Sequence, residues 1–162
     1  MQPYFSSIEK ILRLQTEARS WLGTPFAAKA MVKGAGADCI HLIAGIYLAV
    51  GAVKEFVPGD YTLDEGNHLK SSKVIGWFAS HPDFVPVAAP YLVGDVVCFN
   101  LAAVGHHVGM VIGPEEFIHV YAQRGRFAIV SNLCESFYTR HIVGAYRLTI
   151  PDPGTRNPDA IT

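Results

Sequence analysis

From Val93 to Ile150 the sequence falls into short runs rich in β-branched and aromatic residues, and this feature constrains the fold more than any other. Glycine, proline or asparagine separates the runs, which is typical of β-strands joined by short connections. The runs cover residues 94–101, 106–113, 116–121, 126–131 and 142–150. They predict a meandering antiparallel sheet of about five strands.

The chain before these runs has helical periodicity instead. Ser6 and Glu9 have the spacing of a capping box, and apolar residues then recur at helical intervals as far as Leu22. The segment Gly23-Thr24-Pro25 ends this helix, because glycine suits a C-terminal cap and proline cannot continue the helix. The first element is therefore predicted to be an amphipathic helix.

Two further helices are predicted before the sheet. Asp38 is a suitable N-cap for a largely apolar helix over residues 39–50, which Gly51 would close. Residues 63–80 are predicted to contain another helix, anchored by Leu69, Val74, Trp77 and Phe78. Helices followed by strands predict an α+β fold, with the N-terminal helices packed on a C-terminal antiparallel sheet.

Length and charge limit the possible functions. The 162 residues favour one domain over residues 1–150, followed by a loose, proline-rich tail over 151–162. The net charge is −1 and no run of five basic residues occurs, so no nucleic-acid partner is expected. The N-terminus lacks a charged segment followed by an apolar one, and the apolar stretch 40–53 is too short to span a membrane. We therefore expect synthesis in the cytoplasm without a signal peptide.

The three cysteines do not suggest a disulfide framework, because their number is odd and no secretory signal is evident. None forms a CxxC pair, which argues against a structural zinc site. Cys98 lies in a run typical of a buried strand, and Cys134 follows a turn-like Ser-Asn pair. We interpret both as structural.

Cys39 is a candidate nucleophile because it would occupy the first turn of a helix capped by Asp38. Free backbone N–H groups and the helix dipole at that position favour thiolate, which is the nucleophilic form. The same N–H groups can bind an oxyanion. The alternative is that Cys39 is a small buried apolar residue, as most free cysteines are.

His107 and His119 are the candidate partners of Cys39. His107 alternates with apolar residues on a predicted strand, and a base oriented by a third polar group, His119, completes the usual catalytic arrangement. Taken alone, His107 also fits a surface or core histidine. His106 points to the opposite side of the pleat. If residues 113–116 form the turn, His107 and His119 fall on opposite faces, so a β-bulge or an odd-length loop is predicted.

Two residues beside Cys39 have open interpretations. His41 lies about 200° around the helix from Cys39, so it is expected to pack or to form a hydrogen bond elsewhere. Asp38 either caps the helix or faces the cleft and holds a cationic group of a substrate.

Three segments together resemble the NlpC family of peptidoglycan cysteine peptidases, which have a reduced papain-like fold. The segment 22–39 resembles the family's glycine-containing loop before an Asp-Cys pair that opens a helix. GDVVCF at 94–99 is similar to its Gly-Asp strand start, and HHVGMVIGPEEFIHVY at 106–121 to its two histidine strands. The resemblance covers roughly residues 17–149, in the family's order and spacing.

The resemblance implies that Cys39 is the nucleophile, His107 the base and His119 the orienting residue. It implies cleavage of the D-γ-glutamyl–diamino acid bond of a peptidoglycan peptide through a thioacyl-enzyme, with Asp38 holding the substrate's free amine. No metal or organic cofactor is implied. The short layout resembles the phage and prophage branch, whose members reach the cell wall through a phage tail or at lysis.

The sequence also departs from the family pattern. Phe26 stands where the family usually has a tyrosine of the active site, and Ile40-His41 replaces a pair of small residues. Three alternatives follow: a thiol amidase or acyltransferase acting on another small acyl substrate, a degenerate wall-binding or phage-tail module, and a metal site built from Cys39, His107 and His119. The oligomeric state is not assigned by the sequence.

Overall fold

The computed structural model describes residues 1–56, 73–101, 105–121 and 127–151. Within these residues three helices precede the main strands and a short fourth helix lies between the last two strands, which confirms the predicted α+β class. Leu69 and the predicted tail from residue 152 onward lie outside the described residues.

The described residues form four helices: α1 (Ile8–Ser20), α2 (Cys39–Ala49), α3 (Lys73–Ser80) and α4 (Ser136–Thr139). The N-cap of α1 is Ser7, whose hydroxyl accepts a hydrogen bond from the N–H of Lys10 at 3.3 Å, so the predicted cap at Ser6 is wrong by one residue. Asp38 caps α2 as predicted. The longest helix has 13 residues, and none in the described part of the chain is long and apolar enough to cross a bilayer.

Nine strands occur in the described residues. The five predicted runs correspond to β5 (Val96–Leu101), β6 (Gly105–Gly113), β7 (Glu116–Val120), β8 (Ala128–Asn132) and β9 (Ile142–Ile150). Together with β1 (Gln2–Pro3) they form an antiparallel sheet in the order β1-β9-β5-β6-β7-β8. A seventh strand, β4 (Phe84–Pro86), also pairs with β9. A separate hairpin, β2 (Met31–Val32) and β3 (Gly36–Ala37), leads directly to Cys39.

The sheet buries apolar side chains on both faces. On one face Cys98, Val108 and Met110 pack in a core shared with α1 and α2. On the other face Phe99, Phe117 and the α4 residue Tyr138 form a second, largely aromatic core. Strand residues alternate between the two faces, so neighbours in β6 contribute to different cores.

Helix α2 lies deep in the first core. Its residues Ile40, Leu42, Ile43 and Ile46 are fully buried, which explains why nearly every residue of this helix is apolar. A Cβ at Gly45 would lie 2.5 Å from the ring of Trp21. Glycine therefore allows α2 to lie close to the end of α1, and this contact helps to fix the position of Cys39.

An ion pair connects β5 to β9. Asp95, which is fully buried, accepts hydrogen bonds of 2.8 Å from both Nε and Nη2 of Arg147. It also accepts one of 2.7 Å from the N–H of Leu92. The Asp95 carboxylate raises the pKa of the Arg147 guanidinium above its ordinary value. The Gly-Asp pair at the start of β5 thus has a structural role.

Candidate active site

Cys39 is the first residue of α2 and lies behind its cap. Asp38 Oδ1 accepts a hydrogen bond of 3.0 Å from the N–H of His41, as expected of an N-cap. The Cys39 side chain is largely buried, with 9% of its surface exposed. Burial, followed by the charge of Asp38, raises the pKa of the Cys39 thiol to about 12.

The expectation that the helix N-terminus makes Cys39 a thiolate is therefore wrong for the free protein. Backbone N–H groups of Val108, Ile40 and Cys39 itself do lower the thiol pKa. Loss of water and the neighbouring Asp38 carboxylate raise it by more. At rest the nucleophile candidate is a neutral thiol.

The Cys39 sulfur meets the sheet at Val108, the residue after His107, because the N–H of Val108 points at it. The N–H of Val111 donates to Asp95 on the β5 side. Since N–H groups alternate along a strand, that of Val108 points toward the β7 side. The sulfur therefore lies between β6 and β7, against the backbone of the residue that follows His107.

His107 and His119 are hydrogen-bonded to each other, with 2.9 Å between Nε2 of His107 and Nδ1 of His119. The predicted irregularity in the hairpin is confirmed. Gly113 pairs with Glu116, but the register shifts before Val111, which pairs with Phe117. This β-bulge brings both histidines to the same face of the sheet. Nδ1 is then the nitrogen of His107 left to accept a proton.

The environment of His107 keeps its imidazole neutral. Its ring lies between Phe99, with centroids 6.0 Å apart, and Tyr121, at 5.2 Å. Burial, and then the neighbouring His119, lower the pKa of His107 well below its ordinary 6.5. The ring is therefore an available base at neutral pH.

Two polar residues that sequence analysis did not single out extend this arrangement. Ser131 Oγ on β8 lies 2.9 Å from Nε2 of His119, and the hydroxyl of Tyr138 lies 3.2 Å from Ser131 Oγ. Ser131 belongs to a predicted strand next to that of His119. The side of the strand on which Ser131 lies could be inferred from the alternation of residues in the sequence. Its pairing with β7 could not.

The remaining predicted site residues have other surroundings. Asp38 is fully buried and accepts hydrogen bonds from the N–H of Lys29 at 2.6 Å and from the backbone and ring of His41. His41 thus forms a hydrogen bond away from the thiol, as predicted. Phe26 is partly buried against the first core and forms a bridge with Ala37.

The other two cysteines differ from each other. Cys98 is fully buried in the same core as Cys39, and burial, followed by the nearby Cys39 thiol group, raises the pKa of the Cys98 thiol to about 12. Cys134 is exposed, and a hydrogen bond with Glu115 raises its pKa. Within the described residues, no group of three His, Cys, Asp or Glu side chains has the arrangement of a metal site.

Alkylation of Cys39 should show the raised pKa of its thiol. In a Cys98→Ala/Cys134→Ala background, the iodoacetamide rate is expected to keep rising beyond pH 10, because only thiolate reacts. An ordinary thiol, with a pKa of about 8.5, would reach its plateau near pH 9.5. The rate is measured by mass spectrometry against pH, and a half-maximal rate at or below pH 9 contradicts the burial argument.

Gly109 provides space for the aromatic ring that supports His119. A Cβ at this position would lie 2.4 Å from Phe117 Cδ2 and 3.2 Å from the carbonyl of Ile118. Phe117 in turn stacks on His119, with centroids 4.7 Å apart. Glycine is required here because β7 and its side chains approach the strand closely.

Gly109→Ala is therefore expected to lower the free energy of unfolding by about 1–3 kcal/mol, since the Phe117 ring must move. Urea denaturation measures this change. Gly76→Ala in α3 is the matched control, because its Cβ would meet no atom within 4 Å and should stabilise the helix by about 0.5–1 kcal/mol. Equal stability of the Gly109→Ala variant and the wild type would show that Phe117 is not fixed in place.

No protein-family model matches the sequence, and no curated protein is significantly similar to it. Solved structures, however, share the fold. A Staphylococcus aureus protein described as similar to lipoprotein, NLP/P60 family, matches 93% of this chain at 17% identity and a TM-score of 0.62. The NlpC/p60 domain of the peptidoglycan hydrolase SagA matches 86% at 18% identity, with a TM-score of 0.54. The peptidoglycan hydrolase RipB of Mycobacterium tuberculosis matches 93% at 18% identity, also with a TM-score of 0.54.

This chain spans 45% of the S. aureus protein, 98% of the SagA domain and 70% of the RipB chain. The likeness shows that the described chain has the fold of NlpC/P60 proteins, and the predicted reduced papain-like fold is confirmed.

Proposed function

We propose that this chain is a cysteine hydrolase of cell-wall peptides, with Cys39 as nucleophile, His107 as base and His119 as the residue that orients the base. One observation carries the proposal. The thiol of the first residue of a buried helix lies against the β6 backbone at Val108, the residue after His107, and His107 is itself hydrogen-bonded to His119 at 2.9 Å. The fold is that of proteins that include the peptidoglycan hydrolases SagA and RipB.

In the proposed reaction, the thiol attacks the carbonyl carbon of the scissile amide while Nδ1 of His107 takes its proton. The C–S bond forms, and the carbonyl oxygen becomes an oxyanion facing the backbone N–H of Cys39. His107 then gives its proton to the leaving amine as the C–N bond breaks. Water, deprotonated by the same imidazole, hydrolyses the thioester and restores the thiol.

The neutral resting pair has a mechanistic consequence. Burial raises the pKa of Cys39 and lowers that of His107, so both shifts oppose a preformed thiolate–imidazolium pair. Proton transfer therefore accompanies attack on the substrate, when the negative charge develops on the carbonyl oxygen next to the backbone N–H groups. Because the base stays neutral well below pH 6.5, hydrolysis should persist into mildly acidic solution.

The substrate class proposed is a peptide with a D-γ-glutamyl–diamino acid bond. Asp38 is the proposed partner of a free amine, but His41 Nδ1 already lies 2.9 Å from its Oδ1. A substrate ammonium would therefore have to replace the His41 ring. Phe26 contributes no hydroxyl, so in this proposal oxyanion stabilisation rests on backbone N–H groups.

These two features also favour a second candidate, a thiol amidase or acyltransferase whose substrate has no free amine. Asp38 is fully buried and already accepts three hydrogen bonds, which leaves little reason for a cation to bind there. Such an enzyme would use the same Cys39 and His107 chemistry on another small acyl compound.

The test is turnover of a γ-D-glutamyl-diaminopimelate peptide by the purified protein, followed by chromatography of the released fragments. The matched substrate carries an N-acetylated terminal amine, and simple amides with and without an acyl acceptor complete the panel. Preference for the free amine supports the peptidase. Equal or faster turnover of the acetylated peptide supports the second candidate. No turnover of any substrate rejects both.

A further inference from the structure

Hydrogen bonds beyond His119 lead to Ser131 and Tyr138, and we propose that these are positioning residues that determine which nitrogen of His107 carries the proton. This inference rests on the proposed function of Cys39 and His107. It concerns Ser131 on β8 and Tyr138 on α4, whose hydroxyls lie next to Nε2 of His119.

The three polar groups form a closed triangle. Nε2 of His119 lies 2.9 Å from Ser131 Oγ and 3.5 Å from the hydroxyl of Tyr138, and the two hydroxyl oxygens are 3.2 Å apart. His119 is fully buried and Tyr138 is 2% exposed. Bulk water therefore does not compete for Nε2, and the neighbouring hydroxyls decide whether it donates or accepts.

A neutral imidazole has one donor and one acceptor nitrogen, so the hydrogen-bonded pair of histidines has two possible directions. If Nε2 of His119 donates to Ser131, then Nδ1 of His119 must accept from Nε2 of His107. Nδ1 of His107 then carries no proton and can take the proton of the thiol. If Nε2 of His119 accepts instead, both rings change tautomer, and Nδ1 of His107 carries a proton and cannot act as a base.

Ser131 favours the productive direction when its hydroxyl donates to the Tyr138 oxygen, because the serine oxygen, at 2.9 Å, then accepts from Nε2 of His119. Tyr138 supports it by holding the serine oxygen at 3.2 Å. The phenol ring cannot easily turn, because it packs edge-on against Phe117 and Phe99, with centroids 4.9 and 5.6 Å away. The α4 segment is itself fixed by the hydroxyl of Thr139, which donates to the carbonyl of Leu133 at 2.8 Å.

Loss of the serine hydroxyl should reverse the direction. In Ser131→Ala, Nε2 of His119 loses its acceptor and the Tyr138 hydroxyl, 3.5 Å away, becomes the donor to it. The proton of His119 then moves to Nδ1, and the proton of His107 moves to its own Nδ1. The nucleophile keeps its position but its base is blocked.

The primary experiment reads the tautomers directly, by long-range 15N–1H correlation spectra of the full chain with labelled histidines at neutral pH. We expect the His107 proton on Nε2 in the wild type and on Nδ1 in Ser131→Ala. Ser131→Thr, which keeps a hydroxyl on the strand, should restore the wild-type pattern, and Tyr138→Phe, which removes the acceptor of the Ser131 hydroxyl, should shift the His107 proton toward Nδ1. A wild-type protein with the proton on Nδ1, or the same tautomer in Ser131→Ala as in the wild type, overturns the proposal.

Turnover provides the second readout. Ser131→Ala should lower kcat by about 10- to 100-fold at unchanged KM, since only the base is affected, and Ser131→Thr should recover most of it. A rise in KM with unchanged kcat would contradict the positioning role. The spectra do not depend on activity, so inactivity of the wild type would reject the proposed function alone, and unchanged tautomers would reject this inference alone.

Discussion

Replacing Cys39 by alanine is expected to reduce hydrolysis of the cell-wall peptide by at least about 10³-fold, because the sulfur is the atom that bonds to the acyl carbon. His107 and the helix N–H groups remain, but they have no nucleophile to activate. The side chain is nearly buried and uncharged at rest. Its truncation should therefore cost only about 1 kcal/mol of the free energy of unfolding.

The other cysteines are the matched controls for this variant. Cys134→Ala removes an exposed thiol, and Cys98→Ala removes a buried one in the same core as Cys39. Both should retain most of the activity, and circular dichroism should show an intact fold for all three variants. If Cys39→Ala kept a tenth of wild-type turnover, or if Cys98→Ala lost activity to the same extent, Cys39 would not be the nucleophile.

Asp95→Ala should lower the free energy of unfolding by about 3–5 kcal/mol, because it leaves the Arg147 charge without its carboxylate partner. The guanidinium of Arg147, whose side chain is only 20% exposed, would lose both of its 2.8 Å hydrogen bonds. The N–H of Leu92 would also lose its acceptor. Urea denaturation followed by fluorescence measures the change.

Two comparisons show whether burial is the cause. The Asp95→Leu/Arg147→Met double variant removes both charges and should be far closer to the wild type than Asp95→Ala, because no unpaired charge remains. Arg19→Ala breaks the exposed pair with Glu116, and the expected change is within about 1 kcal/mol. A similar loss in all three variants would mean that the Asp95 pair is no stronger than a surface contact.

Local patterns predicted the parts of the fold that depend on neighbouring residues. The alternating apolar runs gave β5 to β9, and Asp38 followed by apolar residues gave α2 with its cap. The short strands β1 and β4 were not predicted. They contain Pro3 and Pro86, and proline is tolerated only at the edge of a sheet, so these strands depend on the exposed side of β9.

The candidate site likewise contains features that a local sequence pattern predicted and features that it did not. The need for a bulge between His107 and His119 followed from counting residues, because both lie in one hairpin. Ser131 and Tyr138 were not found, since their contacts with His119 depend on how β8 and the four-residue helix α4 pack on β7. No periodicity in a single sequence gives that packing.

The charge state of Cys39 was predicted incorrectly for a related reason. A helix dipole can be inferred from the sequence, because it depends only on the position of Cys39 after its cap. Desolvation depends on which elements cover the thiol, and here the sheet and helix bury it next to the Asp38 carboxylate. The effect of tertiary burial on the pKa of the Cys39 thiol therefore outweighs the effect of the helix dipole.

Burial of the neutral thiol also bears on damage by oxidants, because peroxide attacks thiolate far faster than thiol. With a pKa of about 12, roughly 10⁻⁵ of Cys39 is ionised at pH 7, against about 3% of a free cysteine. Sulfenic acid formation should therefore be about three thousandfold slower than at an ordinary exposed cysteine. A nucleophile kept neutral in this way is protected in an environment without glutathione, and it is open to oxidation only while its proton is being transferred to His107 during attack on the substrate.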